Sequence, residues 1–141
     1  METRNNSGFT PLLSVAQMGN TEVIRELLQS GASLEATDSD GNTALIIAAS
    51  LGHRNTVTLL LTQGGRVETR NNKGYTPLLA ATQKGHTDVA RELIQAKASV
   101  DSLLPDGRTS LHLVVQNGQT EIARELLQSG AVLEATDSDG D

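Results

Sequence analysis

GYTPLLAATQKGH, residues 74–86, is the stretch on which the reading of the whole chain turns. A glycine opens it, and Thr76 then precedes a short apolar run. A threonine there caps a helix, its hydroxyl accepting one of the backbone N–H groups that the first turn leaves without a partner. Pro77 follows at the first helical position, where a missing N–H is harmless and φ is already set. Gly85 stops the run after about two turns. The same wording recurs as GFTPLLSVAQMGN at 8–20, GNTALIIAASLGH at 41–53 and GRTSLHLVVQNGQ at 107–119. Gly8, Gly41, Gly74 and Gly107 follow one another at intervals of 33 residues, and no gap is needed to align the four units. Self-similarity at a fixed period of this length marks a solenoid.

The second half of each unit continues the pattern. Val23, Ile24, Leu27 and Leu28 fall at helical spacing, and Val57, Leu60 and Leu61 fill the same slots one unit on. Val89, Ala90, Leu93 and Ile94, then Ile122, Ala123, Leu126 and Leu127, repeat the stripe, which buries one helix face. Gly31, Gly64 and Gly130 follow, where a left-handed residue closes a helix. An extended stretch with a polar turn, such as SLEATDSDG at 33–41, leads into the next unit. Each unit is therefore two antiparallel helices and a protruding turn. Ala16, Ala48, Ala49, Ala80 and Ala81 let neighbouring first helices approach closely. No unit can bury its own apolar face, but stacked units build a continuous core.

The run of glycine, threonine, proline and leucine, then the glycine–histidine pairs Gly52-His53 and Gly85-His86, resembles the ankyrin repeat, as does Thr109-Ser110-Leu111-His112. The resemblance covers essentially the whole chain. It implies an all-α repeat solenoid of stacked antiparallel helix pairs joined by protruding β-turn or hairpin loops. It divides a single domain, 1–141, into a partial repeat 1–7, repeats 8–40, 41–73, 74–106 and 107–139, and a partial repeat 140–141. Two departures stand out. The family histidine that knits the turn survives only as His112, with Leu13, Ile46 and Leu79 in its place elsewhere. Lys97 replaces the glycine that closes the second helix of the third unit, at an expected cost of roughly 1 kcal/mol for a left-handed non-glycine residue.

Composition narrows the function. Among 141 residues there are no cysteines, which removes disulfides and thiolate metal sites and agrees with a reducing compartment. No apolar stretch approaches the roughly 20 residues of a membrane helix, and METRNNSGFT at 1–10 does not read as a signal peptide. The location expected is cytoplasmic, or nuclear within the same intracellular setting. A net charge of −6 argues against nucleic acid as the main partner, because phosphate binding needs a basic face. Phe9 and Tyr75 are the only aromatic residues, so the core must be thin layers of Leu, Ile, Val and Ala. No cofactor is expected. His53 and His86 share one slot in adjacent units, but that slot is structural in the family and no third ligand is evident. DSDGN at 38–42 lacks the spacing of a calcium loop, Asn5-Asn6-Ser7 matches a glycosylation acceptor by coincidence, and no phosphate-cradling or nucleophile motif occurs. The chain is not expected to be an enzyme.

The resemblance places partner contacts on the turn tips and the concave surface of the first helices. Carried over slot by slot, it points to Phe9, Met18, Leu51, Tyr75 and Leu103 as apolar members and to Arg70, Lys73, Lys84 and Arg108 as a basic group on the third and fourth units. Phe9 and Tyr75 serve either as anchors or as local packing against a neighbouring turn. Leu103-Leu104 stand where other units carry polar pairs, and Leu104 removes a side chain that could bond its own turn. The basic group hints at an acidic or phosphorylated partner; an ordinary solvated face is the plainer reading. The leading function is a protein-interaction module that holds a partner protein or peptide. The alternative is a structural element of a longer array. Val23, Leu27, Ile122 and Leu126 are expected on uncapped outer faces, through which copies would stack. Residues 124–140 repeat 25–41 with a single change, Ser33 to Val132, which marks recent duplication of units. Irregular core slots such as Thr56 and Val114-Val115 speak against an idealised design.

Overall fold

The computed structural model describes residues 8–117 and 119–130. The expected partial repeats 1–7 and 140–141, residue 118 and the extended stretch 131–139 lie outside the described residues. Eight helices occur among the described residues: α1 (Pro11–Met18), α2 (Thr21–Gln29), α3 (Ala44–Leu51), α4 (Arg54–Thr62), α5 (Pro77–Lys84), α6 (Thr87–Gln95), α7 (Ser110–Asn117) and α8 (Thr120–Gln128).

Every first helix starts as its threonine dictates. The hydroxyls of Thr10, Thr43 and Thr76 accept from the backbone N–H of Leu13, Ile46 and Leu79 at 3.2–3.3 Å. Thr109 does the same for His112, and the imidazole Nδ1 of His112 accepts in return from the Thr109 backbone N–H at 3.0 Å. Gly19, Gly52 and Gly85 end α1, α3 and α5 in the left-handed region, with φ of 76°, 76° and 79°. Beyond α6, Lys97 takes φ of 71° in the position that glycine holds elsewhere.

The helices form two layers. In one, α1 packs on α3, α3 on α5 and α5 on α7; in the other, α2, α4, α6 and α8 follow in the same order. The core runs between the layers. Leu60, Leu93 and Leu126 occupy one slot in three successive units, and all are fully buried. Each such leucine contributes roughly 1.5–3 kcal/mol of burial. Small side chains hold the first layer together: Ala16, Ala48, Ala49 and Ala81 have no exposed surface.

One expectation fails. Ile122 and Leu126 are not on an outer face; both are wholly buried in the main core with Leu93, Leu111 and Val114. They lie four residues apart on α8, one turn of the same helix side, and that side faces back into the stack. The exposed apolar side chains of this pair are instead Val115 and Leu127.

The turns between units are closed by short-range bonds, and no strand ladder forms among the described residues. Asp38 N–H donates to the Asn42 carbonyl at 3.0 Å and Gly41 N–H to the Asp38 carbonyl at 3.1 Å. The pairs 71/75 and 104/108 repeat the first of these bonds. The buried Asp38 carboxylate also accepts from the N–H groups of Asp40 and Asn42, both at 2.9 Å. Asn71 plays that part in the next turn, toward Lys73 and Tyr75. Leu104 cannot, and the duty passes to Asp106, which accepts from Arg108 N–H at 3.0 Å. Freed from bonding, Leu104 is buried with Leu79 and Leu113 in a small second core under Tyr75.

Candidate functional site

The C-terminal residue of each first helix is brought to one side of the stack. Met18 ends α1, Leu51 ends α3 and Lys84 ends α5, each immediately before a left-handed glycine that turns the chain away. That glycine leaves the last helical side chain uncovered. Met18 is 72% exposed and Leu51 45%, large values for apolar residues in a packed layer.

Two histidines fix this row. His53 Nε2 lies 3.0 Å from the Gln17 carbonyl, and His86 Nε2 lies 3.0 Å from the Ser50 carbonyl. Each imidazole donates to the helix end of the preceding unit, one residue before Met18 and before Leu51. Each ring also packs on the glycine behind it, so that a Cβ at Gly52 would fall 2.6 Å from His86 Nδ1. In the fourth unit Gln119 takes the histidine slot, and its Oε1 is buried with no hydrogen-bond partner among the described residues.

Beside the row lies a cleft of about 510 Å³ between the second and third units. Its floor and walls come from Ile47, Ser50 and Leu51 of α3, Gln83 and Lys84 of α5, and the turn residues Asp40, Lys73 and Tyr75, with Phe9 at the near edge. Of the nine sequence candidates, five therefore line one space: Phe9, Leu51, Lys73, Tyr75 and Lys84. Phe9 is half-buried against the main core, and Tyr75 against Leu79, Leu104 and Leu113, so both fold back on neighbouring structure while still edging the cleft.

The basic group divides into two kinds. Arg70 donates through Nη1 to the carbonyls of Gly74 and Leu103 at 2.6 and 2.7 Å, tying one turn tip to the next. Arg108 is paired with Asp106 at 2.7 Å and bonds Gln116 at 3.2 Å. The Asp106 carboxyl is held below its ordinary value, chiefly by the Arg108 backbone N–H and then by its guanidinium. Lys73 and Lys84 are exposed and make no ion pair among the described residues. Leu103 is 50% exposed at its tip, apart from the cleft.

Ile47 was missed as a cleft residue. The signal was present: α3 reads ALIIAASL, apolar on every side, while the same slot holds Ser14 and Ala80 in the units on either side. Ile47 itself is buried in the main core, so it forms part of the cleft's floor and not its rim. A second hollow of about 590 Å³, lined by Leu61, Arg66, Val67, Glu68, Thr69 and Ala96, contains none of the candidates. Among the described residues no group of three His, Cys, Asp or Glu side chains is placed to hold a metal, and no helix is long and apolar enough to cross a membrane.

A family model described as ankyrin repeats, three copies, matches residues 1–71 and 57–137. No curated protein matches the chain.

Proposed function

The chain belongs to the ankyrin repeat family, whose repeats are generally protein–protein interaction modules, and from that premise we propose that it binds a partner protein or peptide through its first-helix row and turn tips. The observation that carries this reading is the row Met18, Leu51, Lys84 beside the cleft. Large side chains presented on a rigid layer suit a binding anchor, because the backbone beneath them is already ordered and only their own rotamers remain to be fixed when they are covered. The work is done by shape, apolar anchors and charge on a fixed scaffold, without chemistry. The whole chain is taken as one interaction domain acting inside the cell.

Affinity capture from a cell lysate tests this, comparing the wild type with a Met18→Asp, Leu51→Asp variant of unchanged helical circular dichroism. A protein held by the wild type and lost by the variant supports the reading. Identical captures overturn it.

A second reading, self-association through outer helices, is favoured by Val115 and Leu127, which are 66% and 44% exposed. Light scattering over a hundredfold range of concentration separates the two. A mass that rises with concentration, and stays at one chain in a Leu127→Glu variant, supports assembly.

A further inference from the structure

The first-helix row has a polarity that the family relationship does not explain. Passing from the first unit to the third, its members are Met18, Leu51 and Lys84. The turn-tip slot changes in the same sense, from Asp40 in the turn that leads into the second unit to Lys73 in the turn that leads into the third. Both lysines line the cleft and neither is paired among the described residues, whereas Arg70 and Arg108 are engaged in internal bonds. A chain of net charge −6 thus presents two cations unpaired among the described residues on one cleft, at the end of a row whose other members are the exposed apolar side chains Met18 and Leu51. Asp40 borders the same cleft on the aliphatic side and sets a negative charge there.

The spacing of the row selects a backbone. Packed helices lie about 8–10 Å apart, so anchors on successive first helices are separated by about that distance. A β-strand covers it in about three residues, but its side chains alternate and the third points away. Polyproline II has three residues per turn and rises about 3.1 Å per residue, which returns a side chain to the same face every ~9 Å. It matches the row without distortion, and it enters the complex already ordered.

We propose that the occupant is a peptide segment in polyproline II conformation, with two apolar side chains and one acidic side chain at every third position. The apolar pair lies on Met18 and Leu51, and the acidic group lies between Lys84 and Lys73. This rests on the interaction reading above and specifies its ligand. An acid one turn out of register falls on Leu51 beside Asp40, where it gains no cation and meets a like charge.

The test uses the full chain and four fluorescein-labelled synthetic peptides, read by fluorescence anisotropy. LPPLPPE and EPPLPPL present the motif in the two chain directions. LPPEPPL moves the acid by one turn, and LPPLPPK reverses its charge. One of the first two is expected to bind saturably, at least tenfold more tightly than the last two, and to weaken as salt is raised. Lys84→Gln, an exposed substitution that leaves Lys73 in place, is expected to reduce the preference for whichever acidic peptide binds over the same peptide with lysine in place of glutamate, and Lys84→Glu, which sets a carboxylate against Lys73, is expected to abolish it. Equal binding of all four peptides, no saturable binding by any, or a preference unchanged in both variants overturns the proposal. If lysate capture is lost with the Met18→Asp, Leu51→Asp variant while no peptide binds, the interaction reading stands and this ligand is wrong. If capture is unaffected by that variant, both fall.

Discussion

The hydroxyl of Thr56 is buried in α4 with no hydrogen-bond partner among the described residues. Its slot holds Val23, Val89 and Ile122 in the other units, so the site accepts an apolar side chain of that shape. Replacing an unsatisfied hydroxyl by a methyl removes a desolvation cost of about 1 kcal/mol or more. Thr56→Val is expected to raise the urea midpoint with an unchanged slope; a lower midpoint would mean that the hydroxyl has a partner in solution. Lys97 is the comparable case for the backbone. Its φ of 71° is strained for an L side chain, and the corresponding glycines Gly31, Gly64 and Gly130 have open space where a Cβ would sit. The cost at this slot is therefore conformational and not steric. Lys97→Gly is expected to stabilise by roughly 0.5–1 kcal/mol, after the greater entropy of glycine in the unfolded chain is set against the relief. Asp106 gives a pH signature. Its folded carboxyl titrates below its ordinary value, so the unfolded chain binds the proton more readily. The stabilisation is complete above the ordinary carboxylate range and is lost as pH falls through the lower, folded value. The wild type is expected to exceed Asp106→Asn in stability at neutral pH, with the difference closing only at strongly acid pH.

The two histidine contacts are the element-scale device, since each joins the end of one first helix to the start of the next unit's second helix. His86→Ala would leave the Ser50 carbonyl without its donor and uncover Gly52, at a cost of about 1–3 kcal/mol. His86→Gln, which installs the side chain that Gln119 already supplies at this slot in the fourth unit, is expected to cost less. Urea denaturation of both variants checks the order, and equal losses would show that packing on the glycine, not the hydrogen bond, carries the contact. These joints also show where sequence reading stops. The helix starts at Thr10, Thr43, Thr76 and Thr109, the stops at Gly19, Gly52 and Gly85, and the period itself were all legible, because each depends on bonds within a few residues. His53 and His86 were recognisable as structural through family resemblance, yet their partners, 36 residues away, were not. The same holds for the basic group. Four cations looked equivalent in sequence, and only the positions of the Gly74 and Leu103 carbonyls and of Asp106 divide them into two bound and two free. Ile122 and Leu126 were misplaced for a related reason: the stripe shows that a face is buried, but not which neighbour buries it.

At the scale of the whole molecule, the helix packing of the described residues joins each unit to its neighbours, so stability is approximately the sum of intrinsic unit terms and the interfaces between them. Leu93 and Leu126 make this measurable. They are the same residue in the same slot, both fully buried, one in α6 between two packed neighbours and the other in α8 beside α6 and α7. Truncation to alanine costs about 2–5 kcal/mol at either place by lost burial and cavity formation. The consequences differ. At Leu93 the loss falls on a unit shared by two interfaces, and the stack should melt at a lower midpoint as a single event, since neither side is stable alone. At Leu126 the loss falls on the outermost described pair, which can release from α5 and α6 while the other units keep their own interfaces. Leu126→Ala is therefore expected to strip hydrogen-exchange protection from α7 and α8 first, and to split or broaden the urea transition, while Leu93→Ala lowers protection throughout. Uniform loss in both variants would show that four units of this size couple tightly enough to act as one cooperative body. The binding row would then be disturbed by damage anywhere in the stack. If the outer pair frays alone, the row survives it, because Met18, Leu51 and Lys84 all belong to the first three units.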